Sequence, residues 1–320
     1  MNQIDNLLQI LRAVAEKTRL RLLLLCREGE LSVSELMQIT GQSQPRISRH
    51  LRVLVDAGLL TRFREGTHAY YRLSESGKWP ELLQTLVTSV PFDDHLISKD
   101  ITRLNDVKRD RASKAIEFFN RNAGQWDAIR ALHIDDSQVE HAFKALWPQK
   151  SVHRFLDIGT GTGRILEMVA PKVEKGIGID MSRDMLAVAR VNLERAGIKN
   201  CYVRHGNMNG LAFSDESFDL ITFHLVLHYA ESPGHALREA SRVLRDGGSI
   251  VVIDFTTHQE ADLAEERGHK WLGFGDEEMF TWQEEAGLER RSAVTLSGSS
   301  LKIKLWPAVK ISAKQERGYQ

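Results

Sequence analysis

Cysteine is nearly missing from this chain: Cys26 and Cys201 are the only two in 320 residues. Two thiols so far apart exclude a disulfide framework and a Cys-x-x-Cys metal pair. Each is read as a small buried hydrophobe. Long apolar runs are also missing. The leucine-rich stretch at 20–25 is interrupted and flanked by arginine, too short for a bilayer crossing or a signal-peptide core. A reducing cytoplasm is therefore the expected compartment. Net charge is zero, with 43 basic and 43 acidic residues, which excludes chain-wide attraction to polyanions. No internal repeat and no low-complexity tract is present.

With no overall excess, the distribution of charge becomes informative. Residues 41–72 hold six arginines (46, 49, 52, 62, 64 and 72) against Asp56 and Glu65, a local excess of four. Residues 150–320 hold 22 basic and 24 acidic side chains and are balanced. A basic patch on a neutral chain predicts one confined polyanion contact. At 42% apolar and 27% charged residues, the chain is long enough for two ordinary cores.

Ile4, Leu7, Leu8, Leu11, Val14 and Ala15 recur at helical spacing. Thr18 is placed to cap a second helix over 19–27, which Gly29 ends. Ser32-Val33-Ser34-Glu35 is a capping box, and Gly41 supplies the left-handed stop of its helix. Ser43 caps the next helix, Pro45 is tolerated in its first turn, and Gly58 ends it. Two short helices across a glycine-containing turn form a helix-turn-helix. In the second of them Ile47, Leu51 and Leu54 share one face, while Arg46, Arg49 and Arg52 point away. An arginine face suits the phosphates and guanine edges of a major groove. Strands over 59–63 and 69–73, around a basic tip from Arg64 to His68, add the hairpin of a winged helix.

This segment, roughly residues 4–75, resembles the ArsR-type winged-helix repressors. Ser43-Gln44-Pro45-Arg46-Ile47-Ser48-Arg49-His50-Leu51-Arg52-Val53-Leu54 is similar to their recognition helix, and Ala57-Gly58-Leu59-Leu60 to its exit. The candidate DNA contacts are Ser43, Gln44, Arg46, Arg49, His50, Arg52, Arg64 and His68. Metal-sensing members carry cysteines in the preceding helix, where this chain has Leu31-Ser32-Val33-Ser34-Glu35-Leu36. Without thiolates, no metal site is expected there. The resemblance implies a homodimer on double-stranded operator DNA, built through the first and last helices with Leu7, Leu11, Leu82, Leu86 and Val90 as candidates.

The last helix of this domain falls in 76–90, and Pro91-Phe92-Asp93-Asp94 breaks it. Alternating charge over 100–111 reads as a solvated helix or linker, so that 91–114 is taken as a linker between domains 1–90 and 115–306. Residues 115–131 place Phe118, Phe119, Trp126 and Ile129 at helical spacing. An aromatic there could meet a cation, although core packing explains each one equally.

The second domain turns on Phe155-Leu156-Asp157-Ile158-Gly159-Thr160-Gly161-Thr162-Gly163-Arg164. An apolar strand runs into three alternate glycines and then a helix, and Asp180 closes the next apolar run about twenty residues on. Asp157 stands before the first glycine, where its charge would repel the pyrophosphate of NAD or FAD and favour a cation. The pattern resembles motif I of class I S-adenosylmethionine-dependent methyltransferases, and the resemblance spans roughly 115–306. It implies an α/β, Rossmann-like, mostly parallel seven-stranded sheet following the α+β winged helix, with 307–320 as a tail. It also implies S-adenosylmethionine or S-adenosylhomocysteine held by Asp157, Gly159, Gly161, Gly163, Asp180, Met181, Asn207, Met208 and His224.

His224 and His228 are candidate general bases, because histidine titrates near neutrality. A structural role explains either one as well. An Asp/Asn-Pro-Pro-aromatic tetrad and a Pro-Cys nucleophile are both missing, which argues against methylation of DNA bases. Asp246 stands where the family's Leu-x-Pro-Gly-Gly segment has proline. Two functions remain. One is a DNA-binding regulator that senses an adenosyl ligand, since related fusions are implied to respond to S-adenosylhomocysteine in control of methionine-cycle genes. The other is an active methyltransferase on a small molecule, with the winged helix as regulatory or tethering module.

Overall fold

A computed structural model describes the chain except for residues 1–2, 66–67, 75–79, 91–93, 133–135, 260–268, 298–300 and 312–320. It divides into two compact units, Met1–Lys114 and Ala115–Gln320. No described helix is long and apolar enough to cross a membrane.

Caps set the helix boundaries of the first unit. After α1 (Gln3–Val14), α2 (Lys17–Arg27) is capped by Glu16, whose carboxylate accepts from the Arg19 N–H at 2.9 Å. The expected cap, Thr18, is instead buried inside the helix. α3 (Val33–Thr40) carries the capping box: Ser32 accepts from the Glu35 N–H at 3.3 Å, and Glu35 accepts from the Ser32 N–H at 2.7 Å. Gly41, at φ +70°, ends it. α4 (Gln44–Asp56) follows with Ser43 extended before it, making no side-chain cap bond. Strands β2 (Leu60–Glu65) and β3 (His68–Leu73) are longer than expected and pair antiparallel, while β1 (Leu31–Ser32) adds to β3. The hairpin tip at Gly66-Thr67 lies outside the described residues. Leu22, Leu36, Ile39, Ile47, Leu51 and Leu54 form the core beneath.

The expectation of a solvated linker is corrected for residues 95–111. α5 (Pro80–Thr88) is followed by α6 (His95–Leu132), whose first turns dock on the helix-turn-helix. Asp100 is buried and accepts from Arg21 Nε and Nη2 at 2.5 and 2.7 Å. Arg103 donates to the Ile39 carbonyl at 2.9 Å and Lys108 to that of Glu28 at 3.0 Å. Arg111 pairs with the Glu35 carboxylate at 2.6 Å and also reaches the Glu30 carbonyl. The cations at 103, 108 and 111 answer groups at the ends of α2 and α3, while Asp106 and Arg109 pair on the exposed side. The side chains of Phe118, Phe119, Trp126 and Ile129 lie outside the described residues.

In the second unit α7 (Asp136–Ala145) precedes β4 (Val152–Ile158), α8 (Arg164–Val169), β5 (Val173–Asp180), α9 (Arg183–Arg195) and β6 (Cys201–His205). β7 (Phe218–His224), α10 (Pro233–Val243) and β8 (Leu244–Phe255) come next. A helix at Asp276–Glu285 leads to β9 (Leu288–Arg290), β10 (Val294–Ser297) and β11 (Lys302–Lys310). The sheet runs β10-β11-β8-β7-β4-β5-β6, with β9 also pairing β11. β4 to β8 are parallel and β11 is antiparallel to β8. Alternation along the strands feeds two cores: Phe155, Leu220 and Val251 meet α7, α8 and α9, whereas Leu156, Ile221 and Val252 meet α10 and the 276–285 helix.

The seven-stranded path is as expected, with the short β9 as an eighth member. Residues 288–297 hold two strands, β9 facing residues 308–310 and β10 facing 302–305. The expected tail begins too early. Pro307, Ala308 and Val309 remain paired to β8, and the missing proline N–H is tolerated because that edge of Pro307 faces the gap between β10 and β9, where no ladder bond is required of it.

Candidate functional site

β4 and β5 bring Asp157 and Asp180 to the carboxyl edge of the sheet. The glycine loop between them is tied down by the Gly159 and Thr160 N–H groups, which both donate to the Ile179 carbonyl at 2.8 and 2.9 Å. Gly159 has φ +74°, and a Cβ there would stand 2.2 Å from Val226 Cγ2. The turn after β7 therefore bears directly on this loop, and only glycine fits. Gly161 (φ +51°) faces open space, and Gly163 (φ +83°) starts α8 against Ala189.

Asp180 accepts from the Gly161 N–H at 2.9 Å and the Ser182 N–H at 2.8 Å. Burial raises its carboxyl above the ordinary value, against the pull of those bonds. A carboxylate has about four acceptor positions, so capacity for ligand hydroxyls remains. Asp157 is buried and accepts from Thr222 Oγ1 at 2.6 Å. Burial pushes its carboxyl up to about 6; the Thr222 and Thr160 hydroxyls oppose this, and nearby Asp180 adds to it. A cation beside it would restore the charged form. Met181, beside Asp180, is 61% exposed. The crevice lies where strand order reverses, between β4 and β7, as ligand sites do in open α/β sheets.

On the first unit, α4 buries Ile47, Leu51 and Leu54 and exposes Gln44, Arg46, Arg49, Arg52 and Val53. Ser43 is exposed at its start, and Arg62, Arg64 and His68 are exposed on the hairpin strands. Arg64 and His68 thus stand in the ladder, opposite Ala69 and Glu65, and not in the loop.

Residues 16–62 match the family described as bacterial regulatory protein, arsR family, and residues 149–287 match the family described as methyltransferase domain. The chain joins an ArsR-family helix-turn-helix to a methyltransferase domain.

Among relatives, the uncharacterized methyltransferase YcgJ of Bacillus subtilis is 32% identical over 120 residues, covering 38% of this chain and 47% of that protein. The arsenite methyltransferase of Aquipseudomonas alcaligenes is 34% identical over 131 residues, covering 38% and 37%. The chain spans less than half the length of either relative. A chain from the complex of the Haloferax volcanii Trm112 methyltransferase activator with a protein described as a methyltransferase superposes with a TM-score of 0.50 at 21% identity. It covers 62% of this chain and 97% of its own length, a likeness of fold alone.

The remaining expected residues of the methyltransferase domain divide. His224 ends β7 beside Ile253 and is half-buried. Asn207 is exposed, and its Oδ1 accepts from the Asn209 N–H at 2.9 Å, the bond of a turn-forming asparagine. Met208 packs at the margin of one core. His228 is buried, with Nδ1 2.7 Å from Asp254 Oδ1. Asp254 and Thr222 were not singled out from the sequence, although a polar residue closing the apolar run of β8 was its signal for Asp254. In the ArsR-family helix-turn-helix, His50 is half-buried, with Nδ1 3.5 Å from Glu16 at the start of α2. It falls one position beyond Arg49 and so on the flank of the helix. Burial, reinforced by Arg19, Arg46 and Arg49 against Glu16, lowers its pKa.

Proposed function

We propose that the protein is a DNA-binding transcriptional regulator whose methyltransferase domain binds S-adenosylmethionine or S-adenosylhomocysteine and couples that binding to operator affinity. Genes of methionine and adenosyl-sulfur metabolism are the targets that suit such a ligand. The observation that carries the reading is the pairing, on one chain, of an exposed arginine face on α4 with a glycine-lined crevice holding two partly desolvated carboxylates. In the crevice, Asp180 would take ribose hydroxyls and Asp157 would favour the cationic end of the ligand. Homodimerisation is supported by Ile4, Leu8 and Leu11, which form an exposed apolar stripe on α1 at 64, 41 and 40% exposure.

Operator titrations at one fixed salt concentration, with S-adenosylmethionine, S-adenosylhomocysteine or neither, test the coupling. An adenosyl ligand is expected to shift operator affinity by about 5–150-fold, the range of a coupling of about 1–3 kcal/mol. Identical curves would reject the regulatory reading. In the same assay Arg49→Ala is expected to cost about 1–3 kcal/mol of operator binding. A loss no larger than that of an ordinary surface charge would remove Arg49 from the contact. The second reading, an active methyltransferase on a small molecule, is favoured by one observation, the buried pairing of His228 with Asp254.

A further inference from the structure

We propose that the clasp between Arg111 of α6 and Glu35 of α3 carries adenosyl binding to the DNA-facing helix α4. With the clasp intact, occupancy of the crevice changes operator affinity; without it, the two sites work independently. The proposal rests on the regulatory reading above and adds to it the residues through which the coupling passes.

One face of α6 holds Asp100, Arg103, Val107, Lys108 and Arg111, at positions i, i+3, i+7, i+8 and i+11. That face runs along α3 in the opposite direction. At the end of α3, Arg103 donates to the Ile39 carbonyl at 2.9 Å. Beside it Asp100 holds Arg21, which donates to the Thr40 carbonyl at 3.2 Å. Eleven residues beyond Asp100, a rise of about 16 Å, Arg111 meets the start of α3. Its Nε and Nη2 donate to the two oxygens of Glu35 at 2.6 Å each. Since α3 is only eight residues long, α6 grips it at both ends.

Both grips bear on the DNA-facing parts. Thr40 leads into Gly41, the turn before α4, where a Cβ would stand 3.4 Å from Arg103 Nη1. Glu35 accepts from the Ser32 N–H, and Ser32 lies in β1, paired with Tyr70 of the hairpin. A shift of α6 along α3 therefore reaches α4 through one end and the wing through the other.

The course of α6 supplies the other half of the argument. The first unit ends at Lys114, three residues past Arg111, yet α6 runs unbroken to Leu132. About half of one helix belongs to each unit. A rigid element shared in this way passes a displacement of one half to the other. The grips are also unequal. Arg21 and Asp100 are 7 and 3% exposed, enclosed beside Ile97, Leu104 and Val107. Arg111 and Glu35, nearer the boundary, are 16 and 19% exposed. Parting the first pair strands a charge in the core, whereas the second opens toward water at a smaller cost. Asp100 is thus the pivot and Arg111 the catch. Burial pushes the Glu35 carboxyl up, but Arg111 and the Ser32 bonds outweigh it and hold it below its ordinary value.

The test uses the full chain, a duplex that the wild type selects from random sequence, and S-adenosylhomocysteine, at one salt concentration. Operator affinity is measured with and without the ligand, and ligand affinity with and without the duplex. Linkage requires both measurements to give one ratio, expected to be about 5–150-fold in wild type. Arg111→Ala and Glu35→Gln should each still bind both partners, with the ratio fallen to within about twofold of one. Glutamine serves in a capping box, so Glu35→Gln keeps the cap and loses only the charge that holds Arg111. It decides alone if Arg111→Ala melts early. Arg109→Ala, on the exposed side of the same helix, should keep the wild-type ratio. A clasp that only stiffens the fold would lower operator affinity equally with and without ligand, leaving the ratio intact. That result in a folded variant overturns the proposal and leaves the regulatory reading standing. Loss of the ratio in Arg109→Ala as well overturns it too, since any charge on α6 would then do. Wild type that takes up no ligand, or binds both partners with a ratio of one, removes the regulatory reading and the proposal with it.

Discussion

Asp100→Ala is expected to cost the first unit about 3–5 kcal/mol, because it leaves the Arg21 guanidinium buried and unanswered. Both side chains are almost wholly enclosed, at 7% and 3% exposure, and Arg21 also donates to the Thr40 carbonyl at 3.2 Å. One cation thus holds α2, the end of α3 and α6 together. In a domain of about this size, such a loss lowers the melting transition by more than about 10 °C. Scanning calorimetry of the full chain should show one transition displaced and the other in place. Exchanging both partners for apolar residues, Arg21→Met with Asp100→Leu, should do much less harm, since no charge is then stranded. If Asp100→Ala moves neither transition by more than a degree or two, the pair does not hold α6.

Asp157→Asn has the second large effect, and its sign depends on pH. The folded carboxyl sits at about 6, against an ordinary value of 3.8. The native state therefore binds more protons than the unfolded chain between these values, and stability is lost as pH rises through that window. The cost is complete above about pH 6 and amounts to about 3 kcal/mol, at 1.36 kcal/mol per unit. The asparagine variant, still able to accept from Thr222, should be the more stable protein at pH 7.5 and lack the acid-side slope. The same substitution should weaken S-adenosylmethionine by about 1.5–3 kcal/mol, the worth of a hydrogen bond to a charged group. Denaturant titrations at several pH values and calorimetry at pH 7.5 check both halves. Equal stability curves for the two proteins would place Asp157 in water, contrary to its burial.

Local chemistry is what the sequence made legible. The capping box at Ser32 and Glu35, the glycine stop at Gly41 and the apolar stripe of α4 each depend on residues within one or two turns, and all stand where expected. The mostly parallel seven-stranded sheet came from the resemblance to class I methyltransferases, and alternating strand and helix agrees with it, because parallel strands need crossovers. What escaped was pairing across long separations. Arg21 and Asp100 are 79 residues apart, and Arg111 and Glu35 76, so the charges of α6 read as solvated. The Glu16 partner of His50 and the Asp254 partner of His228 were hidden for the same reason. The two strands within 288–297 depend on β11 meeting both at once, which period-two alternation cannot reveal.

Glu35 serves two neighbours at once, closing the cap of α3 and receiving Arg111. The transferable reading head is consequently larger than its homology. A chimera that borrows only the stretch ending near residue 90 would import Arg21 without its counterion and α3 without its brace. A graft intended to work on a foreign effector must extend through Arg111, so the natural splice point for engineers lies inside a helix.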